Sequence, residues 1–203
     1  MRKIFLLLFC VLLAVGVNAQ IRYGVKAGGT FSNISEKYNG EKISEFKLGV
    51  GFNLGGVLEY SFSESFALQP ELLYVMNNIK PKEEEEGVSS RMELQFIQLP
   101  INLKYKMGTE NLKFYVTAGP YVGYAVSAKL KAESEGISGA VDLFEWDEFK
   151  AKHLNFGIGA GLGIEVSKFT VGVGYQHGLA NLTGVDQVSI KLGSFNLSVG
   201  YFF

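Results

Sequence analysis

Residues Ser194 to Phe203 read SFNLSVGYFF, setting Phe195, Leu197, Val199, Tyr201 and Phe203 against Asn196, Ser198 and Gly200. Side chains alternate faces along a β-strand, so this segment has one oily face and one small, polar face. At the end of an exported chain, such a strand reads as the closing strand of an outer-membrane β-barrel. That expectation concerns location and leaves the question of binding open.

Export is expected from residues 1–19, read as a cleaved signal peptide. Arg2 and Lys3 form a basic start, Ile4 to Val17 an apolar run, and Val17-Asn18-Ala19 a small-residue cleavage site. The apolar run falls short of the roughly 20 residues a membrane helix needs. Cys10 lies inside it after Phe9, not after a small residue, which argues against a lipid anchor. Residues 20–203 are then expected to form one barrel domain without cysteine, hence without disulfides or cysteine-based metal sites. A net charge of −1 with no basic stripe argues against a nucleic-acid partner. No later stretch is apolar enough for a membrane helix, so crossing a bilayer requires a closed barrel that satisfies every backbone group.

Period-two reading outward from the closing strand finds seven further segments: Arg22–Ser32, Lys47–Phe62, Phe66–Asn77, Arg91–Lys106, Leu112–Ala128, His153–Val166 and Phe169–Leu179. The fold expected is all-β, an eight-stranded antiparallel up-and-down transmembrane barrel. In the fourth segment Met92, Leu94 and Phe96 are assigned outward, followed by a one-residue shift to Ile97, Leu99 and Ile101, as a bulge would give. Connections alternate between short and long, matching periplasmic turns and extracellular loops. Outward aromatics fall at two heights, Tyr23 with Phe31 and Phe203 with Phe195 among them, eight to ten residues apart. At roughly 3.3 Å per residue and a tilt near 40°, that spacing spans about 20–25 Å, the height of an outer-membrane apolar band.

The stretches RYGVKAGGTFSNI, LQFIQLPINLKYK, GPYVGY, FGIGAGLGIEV and NLSVGYFF resemble the small outer-membrane β-barrel domain proteins of Bacteroidetes, the PorT-like or porin-like type. The resemblance spans nearly the whole mature chain. It implies a fold and a compartment and brings no catalytic residues with it. Some relatives serve in protein secretion across the outer membrane.

Chemistry-bearing motifs each have an ordinary reading. GIGAGLG at Gly157 to Gly163 lacks the following helix of a dinucleotide loop and reads as small residues inside a narrow barrel. Lys26, Glu59, Glu71 and Lys104 share the inward parity at comparable depth and are expected to form a lumenal charge network, since an unpaired charge there is costly. His153 and His177 are the only histidines, and His177 has no serine nearby on its own strand, against a lipid hydrolase. The run Glu83 to Glu86 reads as solvated loop charge rather than a calcium site. In DLFEWDEF, Phe144, Trp146 and Phe149 are candidate loop contacts, because clustered exposed aromatics mark interaction sites. No catalytic residue, cofactor or metal is assigned. The expected contacts are outer-membrane lipid, the barrel-insertion machinery during biogenesis, and an extracellular or periplasmic protein. The expected role is non-enzymatic and structural or surface-interacting, with a narrow channel or an accessory part of a secretion machine as alternatives.

Overall fold

The computed structural model describes residues 20–38, 41–81, 88–109, 111–134, 137–145, 151–185 and 188–203. Residues 1–19, with the expected signal peptide, and Glu83 to Glu86, Trp146 and Phe149 lie outside them. The strands are β1 (Gln20–Tyr38), β2 (Glu41–Ser61), β3 (Phe66–Pro81), β4 (Val88–Gly108), β5 (Leu112–Ser134), β6 (Ile137–Asp142), β7 (Leu154–Val166), β8 (Phe169–Gly178) and β9 (Val188–Phe202). Every pairing is antiparallel, and β1 meets β9 while β4 meets β5. Eight strands therefore close into a ring, β1-β2-β3-β4-β5-β7-β8-β9, with β6 outside it.

Closure follows from the solvent. Lipid offers no hydrogen bonds, so a sheet that crosses it cannot keep an open edge. β9 supplies the closing register, with Phe31↔Phe195 and Val25↔Tyr201. The lipid face carries the alternating apolar set of every strand. Its aromatics pair across strands at two levels: Tyr23 with Phe203 (5.5 Å), Phe66 with Tyr105 (4.9 Å) and Phe169 with Tyr201 (5.0 Å) below, Phe52 with Tyr74 (5.9 Å) and Tyr175 with Phe195 (4.7 Å) above. Short turns join strands at the periplasmic rim. Two of them need unusual backbone: Gly108 at φ 135° before the β4–β5 turn, and Ser167 at φ 55° in the β7–β8 turn.

On the outer side the long connections are largely ladder. β1 and β2 stay paired as far as Tyr38↔Glu41, and β4 and β5 as far as Val88↔Ser134. The β5 extension also pairs with β6, through Leu130↔Val141 and Lys129↔Asp142. β6 escaped the periodicity reading because Ile137–Asp142 (ISGAVD) stands above the membrane, where no apolar lipid face is required.

The inward and outward sets differ from expectation at one place. Met92, Leu94 and Phe96 do not face lipid: Phe96 is 3% exposed and packs inside the outer mouth with Leu94. β4 keeps one parity along its length, and the extra residue lies on β5, where Gln95↔Ser127 is followed by Phe96↔Ala125 and Val126 is left over. Both parities of this stretch are apolar, so alternation alone does not choose between them.

The interior glycines make room for particular side chains. A Cβ at Gly172 would collide first with the Tyr115 hydroxyl, and one at Gly157 would meet the Tyr121 ring 2.8 Å away, besides the His177 carbonyl. Outward Gly56 has nothing within 4 Å. Gly172→Ala is expected to lower unfolding stability by about 1–3 kcal/mol, as overpacking does, and Tyr115→Phe should restore part of the loss. Gly56→Ala should leave stability within about 0.5 kcal/mol of wild type. Urea titration in lipid, read by heat-modifiable gel migration, distinguishes these outcomes.

Candidate functional site

The lumen is layered from rim to rim. At the periplasmic end Phe202, inward on β9 and 2% exposed, lies under the Arg22 guanidinium at 4.5 Å. Above it Glu59 accepts from Arg22 (2.7 Å), Lys104 (2.8 Å) and Lys106 (2.7 Å). Glu165 accepts from Arg22 (2.8 Å) and Lys104 (3.1 Å), so three cations from β1 and β4 are laced to two carboxylates from β2 and β7. Lys104 Nζ also sits 4.5 Å from the Tyr115 ring centre. The glutamates and Lys104 are almost wholly removed from solvent, a state that charge pairing alone makes tolerable.

The second charge pair stands apart. Lys26 donates to both oxygens of Glu71 (3.1 and 2.9 Å), and Gln69 adds a third bond at 2.7 Å. Lys26, Glu59, Glu71 and Lys104 are thus all lumenal but fall into two groups. Arg22, Lys106 and Glu165 belong to the lower group and were not singled out from the sequence. All three lie near strand ends on the inward parity and inside the segments read from the sequence, so parity placed them in the lumen without showing that they meet.

Over these charges lies a polar chamber of about 80 Å³, lined by Asn53, Gln98, Asn102, Thr117, Gln176 and Asn196 among others. The interior is therefore not wholly filled by side chains. Further up, Ser32 donates to Asn77 and shares a hydrogen bond with Ser194, both 2.7 Å long.

The outer mouth is closed by an apolar cluster. Ile34, Ile79, Leu94, Phe96 and Ile190 come from the strands, while Leu143 and Leu182 fold in from the two loops beyond β6 and β8. Backbone bonds hold those loops across the opening: Leu143 N–H to Ala128 O (2.8 Å), Lys152 N–H to Leu182 O (2.8 Å) and Leu182 N–H to Ile190 O (2.9 Å). Asn181 clamps its loop by donating to Val188 O and accepting from Ile190 N–H, each 2.8 Å.

Of the candidate loop contacts, Phe144 is described, and it is engaged. Its ring stacks on His153 at 3.9 Å, His153 stacks on Tyr124 at 5.1 Å, and the His153 Nδ1 proton is donated to Ala125 O at 3.0 Å. Phe144 therefore ties its loop to the rim. His177 faces outward with Tyr175 as its ring neighbour at 6.3 Å. Among the described residues no group of three or more metal-ligating side chains comes together.

Two predictions follow from these charges. Glu59→Ala strands three cations against one remaining carboxylate and is expected to cost about 3–5 kcal/mol, measured by urea unfolding in lipid. Above the membrane, Glu93 accepts from Lys131 (2.7 Å) and from Gln95 (2.7 Å); the Lys131 hydrogen bond chiefly holds its carboxyl below the ordinary 4.5. A depressed folded value stabilises the β4–β5 extension above the unfolded carboxylate range, and this is lost as pH falls through the folded one. Amide protection at residues 90–95 should therefore drop on acidification below about pH 4.5, and Lys131→Met should flatten that dependence.

Several solved structures are similar to the chain. The outer membrane enzyme PagL is 15% identical with a TM-score of 0.50, covering 90% of this chain and 99% of that one. Ail, the attachment invasion locus protein of Yersinia pestis, is 19% identical with a TM-score of 0.46, covering 90% and 98%. Neisserial surface protein A is 14% identical with a TM-score of 0.46, covering 92% and 99%. At 15% identity the likeness to PagL speaks for the fold alone. No curated protein sequence matches the chain. The family profile described as outer membrane protein beta-barrel domain matches residues 18–184. With its closed ring, lipid-facing apolar band and paired girdles, this chain belongs to the outer membrane protein beta-barrel domain family and resides in the outer membrane.

Proposed function

We propose that the protein is a non-enzymatic surface barrel, which anchors an extracellular sheet and its loops in the outer membrane for a structural or surface-interaction role. The observation that carries this reading is a lumen obstructed twice, by a desolvated ionic lattice below and an apolar cluster above. An ion crossing it would have to break several charge-assisted bonds and then pass an apolar constriction, each step costing several kcal/mol. The extended ladders instead project backbone and side chains outward, with β6 at the free margin. Kinship with the PorT-like barrels of Bacteroidetes is compatible with this role. Service in a secretion machine would add periplasmic or outer-membrane protein partners to the same anchor.

Planar-bilayer recordings on folded protein test the reading: no stepwise conductance is expected at moderate voltage, and discrete, reproducible ion steps would overturn it in favour of a narrow channel.

A further inference from the structure

Three of the chain's four prolines, Pro70, Pro100 and Pro120, stand on β3, β4 and β5, which are consecutive neighbours in the wall. Each breaks one ladder. The β2–β3 ladder keeps its register but lacks the two rungs between Val57↔Glu71 and Tyr60↔Leu68, those of Pro70 and Gln69. The β3–β4 ladder likewise lacks the two between Leu73↔Gln98 and Pro70↔Ile101, those of Pro100 and Leu99. The β4–β5 ladder lacks the two between Pro100↔Tyr121 and Leu103↔Ala118, those of Pro120 and Gly119. By contrast β5–β7, β7–β8, β8–β9 and β9–β1 run without interruption. Proline has no N–H to give, so each site withdraws a ladder donor within the membrane-spanning wall. In lipid, an unsatisfied backbone group costs several kcal/mol.

The polar chamber lies against this stretch of wall. Glu71, Pro100 and Asn102 line it there, and Asn53 faces it from β2. Asn53 is 4% exposed, and its Oδ1 has no hydrogen-bond partner among the described protein groups. The opposite wall, β7 and β8, contributes glycines and apolar residues, with Gln176 as its polar side chain, and its ladder is continuous. Charge in the chamber cancels, because Lys26 and Glu71 bind each other at 2.9 Å. The remaining polar lining is neutral amide and hydroxyl, offering donors and acceptors together. That chemistry suits a neutral, hydrogen-bonding occupant and disfavours an ion or an apolar molecule. A volume of about 80 Å³ is several times the roughly 10–15 Å³ that admits a single water, so the chamber has room for a small water cluster.

We propose that the chamber is a built hydration site, whose water cluster completes the hydrogen bonding that Asn53 and the proline row leave open, making β3–β4–β5 a water-backed seam in the barrel wall. The seam is the side of the barrel whose ladders open most readily. Conduction is not implied, since the closures above and below remain in place.

Proton-detected NMR of the full barrel in bilayers tests this directly. Water cross-peaks are expected to the side-chain amides of Gln69, Gln98 and Asn102, and none to backbone amides of residues 27–29, which lie in the unbroken β1–β9 ladder and do not line the chamber. Seam amides in residues 98–103 and 117–122 should exchange about tenfold faster than those in 158–163 and 171–176. Pro100→Ala, which restores a donor, should slow exchange around Glu71. Missing water cross-peaks with the chamber amides visible would overturn the proposal, as would uniform exchange around the ring. Chamber shifts that titrate with sodium or chloride would equally overturn it, by showing an ion as the occupant.

Discussion

The constraint on which everything else rests is the absence of hydrogen-bonding solvent in the bilayer. A sheet placed there must end on itself, so β1 has to find β9 across the whole length of the chain. That one ladder fixes the strand number and the circumference, and with them the width of the lumen. Eight strands leave an interior only a few side chains across. Every inward residue then becomes a steric and electrostatic matter for the strand opposite, which is why glycine at 172 and tyrosine at 115 belong together.

Within that narrow space the two ends solve the same problem with opposite chemistry. Near the periplasm the chain brings charges from four strands into one lattice; removing a single member leaves the others buried and unmatched. At the outer mouth Leu143 and Leu182 arrive from loops and bury apolar surface, a contribution of roughly 25 cal/mol per Å². The lower closure is directional and the upper one is not. Their combination leaves a polar middle, where the wall itself is short of donors at Pro70, Pro100 and Pro120.

Much of this was legible before any coordinates. Alternation named the eight ring strands, because lipid enforces the same outward pattern on each strand. Lys26 and Glu71, like Glu59 and Lys104, could be placed inside by parity. Phe96 could not, since a stretch apolar on both faces carries no parity signal, and the extra residue proved to be Val126 on another strand. β6 and the extended hairpins were equally silent, for above the membrane nothing compels an oily face.

Sequence alone thus determined the compartment, the architecture and the inward or outward face of most residues, because each follows from local alternation against a uniform solvent. Which inward residues meet is a different matter. Glu59 touches Arg22, Lys104 and Lys106 only because the ring's curvature and stagger carry β1 and β4 toward the same depth on either side of β2. The plug, the chamber and the proline seam likewise depend on registers between strands far apart in the chain. Such distances are set by closure, which no single strand encodes.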